Sequence, residues 1–280
     1  MSIVSIATGA GRGMGLACAE RLAATSDVLV AVDRDEVALG EAVPTLGGYG
    51  ATVVPVTLDV TDASALTALA DQVHDLGDLG GVAHAAGISP TMADWRAVMT
   101  VDLVGTALLV QALTPLVTEG TAMVCFASMA AHLMAAMADP AADAALDDPL
   151  APDLLDRLRA ALGESIEDPG IAYGQAKRGV QRLVRRTAIA WGPHGGRINS
   201  MSPGLIDTPM GRQEFEQQPA MTMMLEHTPL RREGSAAELA AVVAFLCSPE
   251  ASYVSGTDVL VDGGCTAAVE AMISGLADLA

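Results

Sequence analysis

At 280 residues with 51% hydrophobic side chains, the chain is long enough to fill one large α/β core. A net charge of −19 argues against a nucleic-acid or anionic-membrane surface, because both need a basic face. The N-terminus lacks a basic n-region and a long apolar stretch, and no run of about 18 apolar residues escapes polar interruption, so a cytoplasmic protein is expected.

Short apolar, β-branched runs alternate with stretches of helical periodicity. Runs 2–7, 28–32, 52–57, 81–85, 122–127, 197–201 and 258–261 read as seven strands, with room for a helix between each pair. Repeated βα units of this kind predict a Rossmann-type, doubly wound parallel sheet with helices on both faces, folded as a single domain over 1–280. Ligands of such sheets gather at the carboxyl ends of the strands. Cys18, Cys125, Cys247 and Cys265 are widely spaced with no C-x-x-C, so reduced packing residues are expected and no metal.

Thr8-Gly9-Ala10-Gly11-Arg12-Gly13-Met14-Gly15 follows the first strand and opens a helix whose apolar face is Leu16, Cys18, Ala19 and Leu22. Glycines there permit positive φ and let the backbone approach a pyrophosphate at the helix N-terminus. Asp33 ends the second strand, where a carboxylate accepts hydrogen bonds from both adenosine ribose hydroxyls and repels a 2′-phosphate, favouring NAD over NADP. Arg12 and Arg34 keep NADP open, since either guanidinium suits a phosphate. Asp59-Val60 after the third strand and Ala85-Ala86-Gly87 after the fourth stand where adenine and the central ribose would be bordered.

Ser128 follows the fifth strand. The segment 132–170, rich in alanine, aspartate and proline, is too long for a bare connection and reads as a helical insertion with its core at 151–162. Next comes Tyr173-Gly-Gln-Ala-Lys177, which holds the chain's one lysine among 15 basic side chains. On a helix, positions i and i+4 share a face, so the phenol and the ammonium project together. An ammonium stabilises a phenolate whose ordinary pKa is about 10, and three compact donors can also reach ribose hydroxyls. After the sixth strand, Ser202-Pro203-Gly204-Leu205-Ile206-Asp207-Thr208 forms a loop, and 205–232 has the length of a substrate lid carrying Met210, Phe215, Met221, Met223, Met224 and Leu225. Further methionines at Met129, Met134 and Met137 suggest a bulky apolar substrate, because thioethers adapt to irregular apolar shapes; ordinary core filling is the competing reading. Val269, Met272, Ile273, Leu276 and Leu279 give the extension 265–280 a helical apolar stripe, read as an oligomer contact.

Thr-Gly-x-x-x-Gly-x-Gly, a small-small-Gly after the fourth strand, Ser128, Tyr-x-x-x-Lys and Pro-Gly after the sixth strand, taken in order, resemble the short-chain dehydrogenase/reductase family along almost the whole chain. The resemblance implies an oxidoreductase in which Tyr173 protonates a carbonyl oxygen, Lys177 lowers its pKa and binds the nicotinamide ribose, and Ser128 orients the substrate oxygen. It also implies that the Ile206 backbone and Thr208 bind the nicotinamide carboxamide beside Pro203 and Gly204. Asp102 stands where the family usually has a relay asparagine, and Ala85 where it usually has another. The long interval between Ser128 and Tyr173, with Ser-Pro-x-Ala-Ser-Tyr-Val-x-Gly near the end, is most similar to bacterial 3α-hydroxysteroid dehydrogenase/carbonyl reductase. That subgroup implies a homo-oligomer, with dimers favoured over the family's common tetramers, and the methionines add the expectation of a bulky alcohol or ketone such as a steroid, terpenoid or alicyclic compound. Two alternatives stand beside it. A 3-oxoacyl thioester reductase would use Arg178, Arg182, Arg185 and Arg186 to dock an acidic carrier, although the same arginines suit subunit-interface ion pairs. A non-catalytic protein that senses nicotinamide nucleotides is the other.

Overall fold

A computed structural model describes residues 1–135 and 138–274. In chain order its strands are β1 Ile3–Thr8, β2 Val28–Asp33, β3 Thr52–Thr57, β4 Asp78–His84, β5 Ala122–Phe126, β6 Arg197–Pro203, the short pair β7 Ile206–Asp207 and β8 Gly234–Ser235, and β9 Asp258–Val261. The helices are α1 Gly13–Ala23, α2 Glu36–Gly47, α3 Ala63–Leu76, α4 Trp95–Met99, α5 Gly105–Leu113, α6 Met129–Ala135, α7 Pro140–Leu146, α8 Leu154–Leu162, α9 Pro169–Trp191, α10 Pro209–Gln217, α11 Pro219–His227, α12 Ala236–Cys247 and α13 Cys265–Ile273.

The seven long strands form one sheet in the order β3-β2-β1-β4-β5-β6-β9, and every pairing is parallel. This is the doubly wound sheet read from the alternating pattern. The order reverses between β1 and β4, and the cleft at that switch point receives the glycine-rich turn. One face packs Val4, Val30, Val82 and Met123 against α3, α5 and α9; the other packs Leu29, Ala31 and Val124 against α1, α2 and α12. Pro55, which has no N–H to donate, sits in β3 at the sheet edge.

Strand β4 starts at Asp78, earlier than the apolar run at 81–85 suggests. Gly80 and Gly81 are not breakers here: a Cβ on either would lie 2.7 Å from Ile3 or 2.9 Å from Leu22, so the missing side chains permit close packing. The insertion carries two helices, α7 and α8, of which only α8 falls in the apolar stretch read from the sequence. Asp139 caps α7, and Ala142, Ala145, Leu146, Leu154 and Leu158 join the main core. Arg178, Arg182 and Arg186 face α7 within the same chain. Asp143 holds Arg178 through two bonds of 2.9 and 2.8 Å, and Asp147 holds Arg182 at 2.8 and 2.6 Å. Arg186 donates to the Asp147 carbonyl.

The continuous segment Trp95–Leu116 is long enough and on average apolar enough to cross a membrane, although Arg96, Asp102 and Gln111 interrupt it, as expected from the sequence. More than half of its apolar window is buried within the fold, where Trp95, Val98, Met99 and Leu103 belong to the main core. Of the C-terminal stripe, Val269 packs against the lid, while Met272 and Ile273 are exposed; Leu276 and Leu279 lie outside the described residues, as does Met137.

Candidate active site

Two adjoining cavities of about 270 and 260 Å³ open at the carboxyl ends of β1, β4, β5 and β6. Met14, Ala85, Gly87, Ile88, Thr208 and Met210 line both, so they form one cleft. The first is bordered by Gly9, Arg12, Gly13, Gly15, Asp33, Arg34, Asp59, Val60 and Ala86. The second gathers Asp102, Ser128, Tyr173, Lys177, Pro203, Gly204 and Ile206. Gly11 is the exception among the candidate residues: its N–H turns away and donates to Asp33 Oδ2 at 2.9 Å.

The nucleotide end is a cradle of backbone. Gly9 and Gly13 have φ of +68° and +59°, and a Cβ on Gly15 would lie 2.0 Å from the Gly9 carbonyl oxygen. Each Asp33 oxygen accepts one backbone N–H, from Gly11 and from Asp35. An ionised carboxylate has lone pairs to spare, which suits ribose hydroxyls. Asp33 is not the cap of α2; Asp35 is, accepting from Ala38. The Arg12 guanidinium lies 2.6 Å from Asp35. Asp59 accepts the N–H and hydroxyl of Thr61 while still bordering the cavity. This cradle and its acidic edge fit a nicotinamide dinucleotide.

The second cavity holds the ionisable groups. Asp168 caps α9 and Pro169 occupies its first turn, so the helix runs uninterrupted past Tyr173 and Lys177. Lys177 Nζ lies 5.5 Å from the centre of the Tyr173 ring, donates to the Phe126 carbonyl at 3.2 Å, and pairs with Asp102 Oδ1 at 3.1 Å. Asp102 sits in a π-helical turn, Thr100–Val104, and is fully buried. Its Oδ1 also accepts the Ile88 N–H at 3.1 Å, and Oδ2 has no hydrogen-bond partner among the described residues. Gly87 is required beside this pair, because a Cβ there would lie 2.5 Å from Asp102 Oδ1.

Asp102 alters the electrostatics expected from tyrosine and lysine alone. Burial raises the Tyr173 phenol above its ordinary value, opposed by the Lys177 ammonium; the Asp102 and Glu214 carboxylates push it further up, and Ser128 acts against them. The net direction is upward, whereas the lysine by itself would lower it. For Lys177, burial works against the charge, but Asp102 and Tyr173 outweigh it and the ammonium is stabilised. Burial likewise pushes the Asp102 carboxyl up, against the Lys177 charge.

Three groups escaped the reading of the sequence. His84 ends β4 between Thr8 and Thr106, with Nδ1 2.8 Å from the Thr8 hydroxyl and Nε2 3.0 Å from the Thr106 hydroxyl. Thr106 donates to the Asp102 carbonyl and Thr8 accepts the Ala86 N–H, so every proton is placed if His84 is neutral with hydrogen on Nε2. Burial, then the Lys177 charge, drives its pKa down to about 3. This buried chain ties β1, β4 and the π turn together. His132 contacts Asp258 at 2.7 Å, and Gln181, four residues after Lys177, reaches both His132 and Ser202. The third is Glu214 in α10, which lines the second cavity. Spatial proximity reveals these groups; the i, i+4 spacings of Gln181 after Lys177 and of Glu214 after Met210 are the only local signals that point to them.

The methionines divide. Met129, Met210, Met221 and Met224 line the second cavity, but Met134 packs where a Cβ on Gly174 would meet it and Met223 faces solvent. Burial pushes the Cys18, Cys125 and Cys247 thiols up to about 12, leaving them unreactive, and it raises Cys265 as well.

A family model described as short chain dehydrogenase matches residues 3–140, and one described as enoyl-(acyl carrier protein) reductase matches 160–266. The chain is 31% identical over 261 residues to the short-chain dehydrogenase/reductase bsc3 of Alternaria brassicicola, covering 92% of this chain and 94% of that protein. It is 31% identical over 268 residues to a galactitol 2-dehydrogenase (L-tagatose-forming) of Cereibacter sphaeroides, covering 92% and 93%. Among solved structures, a 7α-hydroxysteroid dehydrogenase complexed with NADH and 7-oxo glycochenodeoxycholic acid superimposes with a TM-score of 0.72 at 27% identity, over 93% of both chains.

Proposed function

The chain belongs to the short-chain dehydrogenase/reductase family and is an oxidoreductase of CH–OH groups, and from that premise we propose that it interconverts a secondary alcohol and a ketone on a bulky, largely apolar, alicyclic or steroid-like substrate, using NAD. The observation that carries this reading is the juxtaposition of Ser128 and Tyr173 with Met129, Leu133, Leu205, Phe215, Met221 and Met224 in one cavity.

A bound nicotinamide dinucleotide supplies the two-electron donor or acceptor. Gly9, Gly13 and Gly15 hold its phosphates, Asp33 its adenosine ribose, and Lys177 its second ribose. In the reducing direction negative charge develops on the substrate oxygen, and the Tyr173 hydroxyl delivers a proton to it while Ser128 donates a hydrogen bond. In the oxidising direction Tyr173 takes the carbinol proton. Burial keeps the phenol protonated in the ligand-free site, so oxidation is expected to rise with pH as the phenolate forms. Asp102 and the Phe126 carbonyl fix the ammonium beside the phenol.

Two observations support NAD. Asp33 faces the cleft, and Arg12 is engaged by Asp35 rather than left for a 2′-phosphate. Against a carrier-linked thioester, Arg178, Arg182 and Arg186 of α9 are already paired with Asp143 and Asp147. A sensing role would leave Ser128 and the Tyr173 hydroxyl without a task. A homo-oligomer, dimer or tetramer, completes the reading and is checked by light scattering.

NADH absorbance with a panel of cyclic and acyclic ketones tests the proposal. Wild type is expected to turn over cyclic ketones, and Tyr173→Phe to lose about 10²- to 10⁴-fold in kcat with nucleotide affinity unchanged. Turnover unaffected by Tyr173→Phe, or nucleotide binding without any turnover, overturns it. Calorimetry should give NAD at least about tenfold tighter binding than NADP, a difference of about 1.4 kcal/mol.

A further inference from the structure

We propose that Glu214 is a substrate-recognising residue that hydrogen-bonds a second hydroxyl of the substrate, making the substrate class alicyclic diols and their hydroxyketones. The inference rests on the alcohol–ketone reading of the cleft and narrows it.

Thr208 caps α10 by accepting the Gly211 N–H at 3.0 Å, which fixes the start of the helix at the cleft. From there Met210 and Glu214 stand four apart on one face of the helix, and Gln218 follows in extended backbone just past its end. All three line the cavity that holds Ser128 and Tyr173, together with Phe215. Of the three charged side chains lining that cavity, Asp102 and Lys177 are engaged with each other. Glu214 is therefore the charged group left to face a substrate.

A partly buried carboxylate among methionines and a phenylalanine costs folding free energy unless it is partnered. Packing alone is better served by another methionine at this position. Burial holds the Glu214 carboxyl above the ordinary glutamate range, and the nearby Ser89 hydroxyl offsets this only in part. Glu214 is also close enough to Tyr173 for its charge to act on the phenol. A molecule presenting one oxygen to Tyr173 thus spans naturally to Glu214 with another polar group.

A hydroxyl satisfies Glu214 in either protonation state, because the carboxylate accepts its proton and the neutral acid both donates and accepts. An ammonium is a poorer match, since burial raises the Glu214 carboxyl and so favours its uncharged form. The apolar walls bury the ring, and the carboxyl reads its substituent. This division of labour separates diols from hydrocarbon alcohols of the same shape, because a buried polar group left unpaired discriminates strongly.

Steady-state oxidation by NAD of cyclohexanol, of the 1,2-, 1,3- and 1,4-cyclohexanediols and of 2-aminocyclohexanol tests this in wild type, Glu214→Gln and Glu214→Leu. At least one diol is expected to exceed cyclohexanol in kcat/KM in the wild type. Glu214→Leu should cut that diol's kcat/KM relative to cyclohexanol's by about 10- to 100-fold, chiefly through KM, while the loss of its charge on Tyr173 acts on both substrates alike. Glu214→Gln keeps an acceptor and should fall between them; it also answers for the leucine variant should that fail to fold. Equal losses on cyclohexanol and diol, an unchanged diol, or a preference for the amino alcohol overturns the assignment. If wild type binds NAD yet oxidises none of these alcohols, the alcohol–ketone reading itself fails and takes the assignment with it.

Discussion

The nucleotide end of the cleft is shaped by backbone, whereas the substrate end is shaped by side chains. At the first, the positive φ of Gly9 and Gly13 disfavours any side chain, and the approach of Gly15 to the Gly9 carbonyl leaves no room for a Cβ. At the second, Met210, Phe215, Met221 and Met224 from α10 and α11 form the wall around Glu214. Backbone packing tolerates no added atom, because its neighbours have no rotamers with which to yield. Thioethers yield readily, so the same protein holds a fixed nucleotide grip beside an adaptable substrate wall. Between the two ends lies the buried Asp102–Lys177 pair, which belongs with the rigid half.

Substitutions along this gradient are expected to weaken in effect from the floor of the cleft outward. Asp102→Ala leaves the Lys177 ammonium buried without its carboxylate and should cost about 3–5 kcal/mol in denaturant unfolding. Asp102→Asn keeps the shape but removes a charge that pushes the Tyr173 phenol up, so the acidic limb of the kcat/KM profile for alcohol oxidation should move to lower pH. A limb that stays put or moves upward would show that Asp102 does not act on the phenol. Gly15→Ala should weaken NAD by about 10- to 100-fold in calorimetry, as about 1–3 kcal/mol of overpacking displaces the loop.

Farther out, Asp143→Asn should cost about 1–2 kcal/mol by loosening α7 from α9. Hydrogen bonding from Arg178, reinforced by the charges of Arg178 and Arg182, holds the Asp143 carboxyl below its ordinary value despite partial burial. Its stabilisation is therefore complete above the unfolded aspartate pKa near 3.9 and disappears as pH falls through the lower folded value. Melting curves of wild type and variant should converge in that acid range. Met224→Leu, in the adaptable wall, should change stability by less than about 1.5 kcal/mol and shift KM across a ketone panel more than kcat. A collapse of stability on that substitution would erase the contrast between the two halves.

The readable part of this protein lies where function constrains the backbone locally. Thr8–Gly15, Asp33 at a strand end and Tyr173 four residues before Lys177 each express their geometry through neighbours in the chain, and seven apolar runs were enough to place the sheet. The insertion was legible as a long alanine- and aspartate-rich interval, but α7 was not: its register with Arg178 and Arg182 depends on a partner more than thirty residues away. Gly80 hid the start of β4, since a glycine that admits a neighbour is indistinguishable in sequence from one that ends a strand.

Sequence by itself determined the alternation of strands and helices, the glycine cradle and the phenol–ammonium pair, because each follows from periodicity or short spacing. Tertiary structure alone decided that Asp102 takes Lys177, that His84 bridges two threonines, that Glu214 enters the cavity and that the net push on Tyr173 is upward. Burial and long-range electrostatics depend on which distant segments meet. No local pattern encodes that meeting.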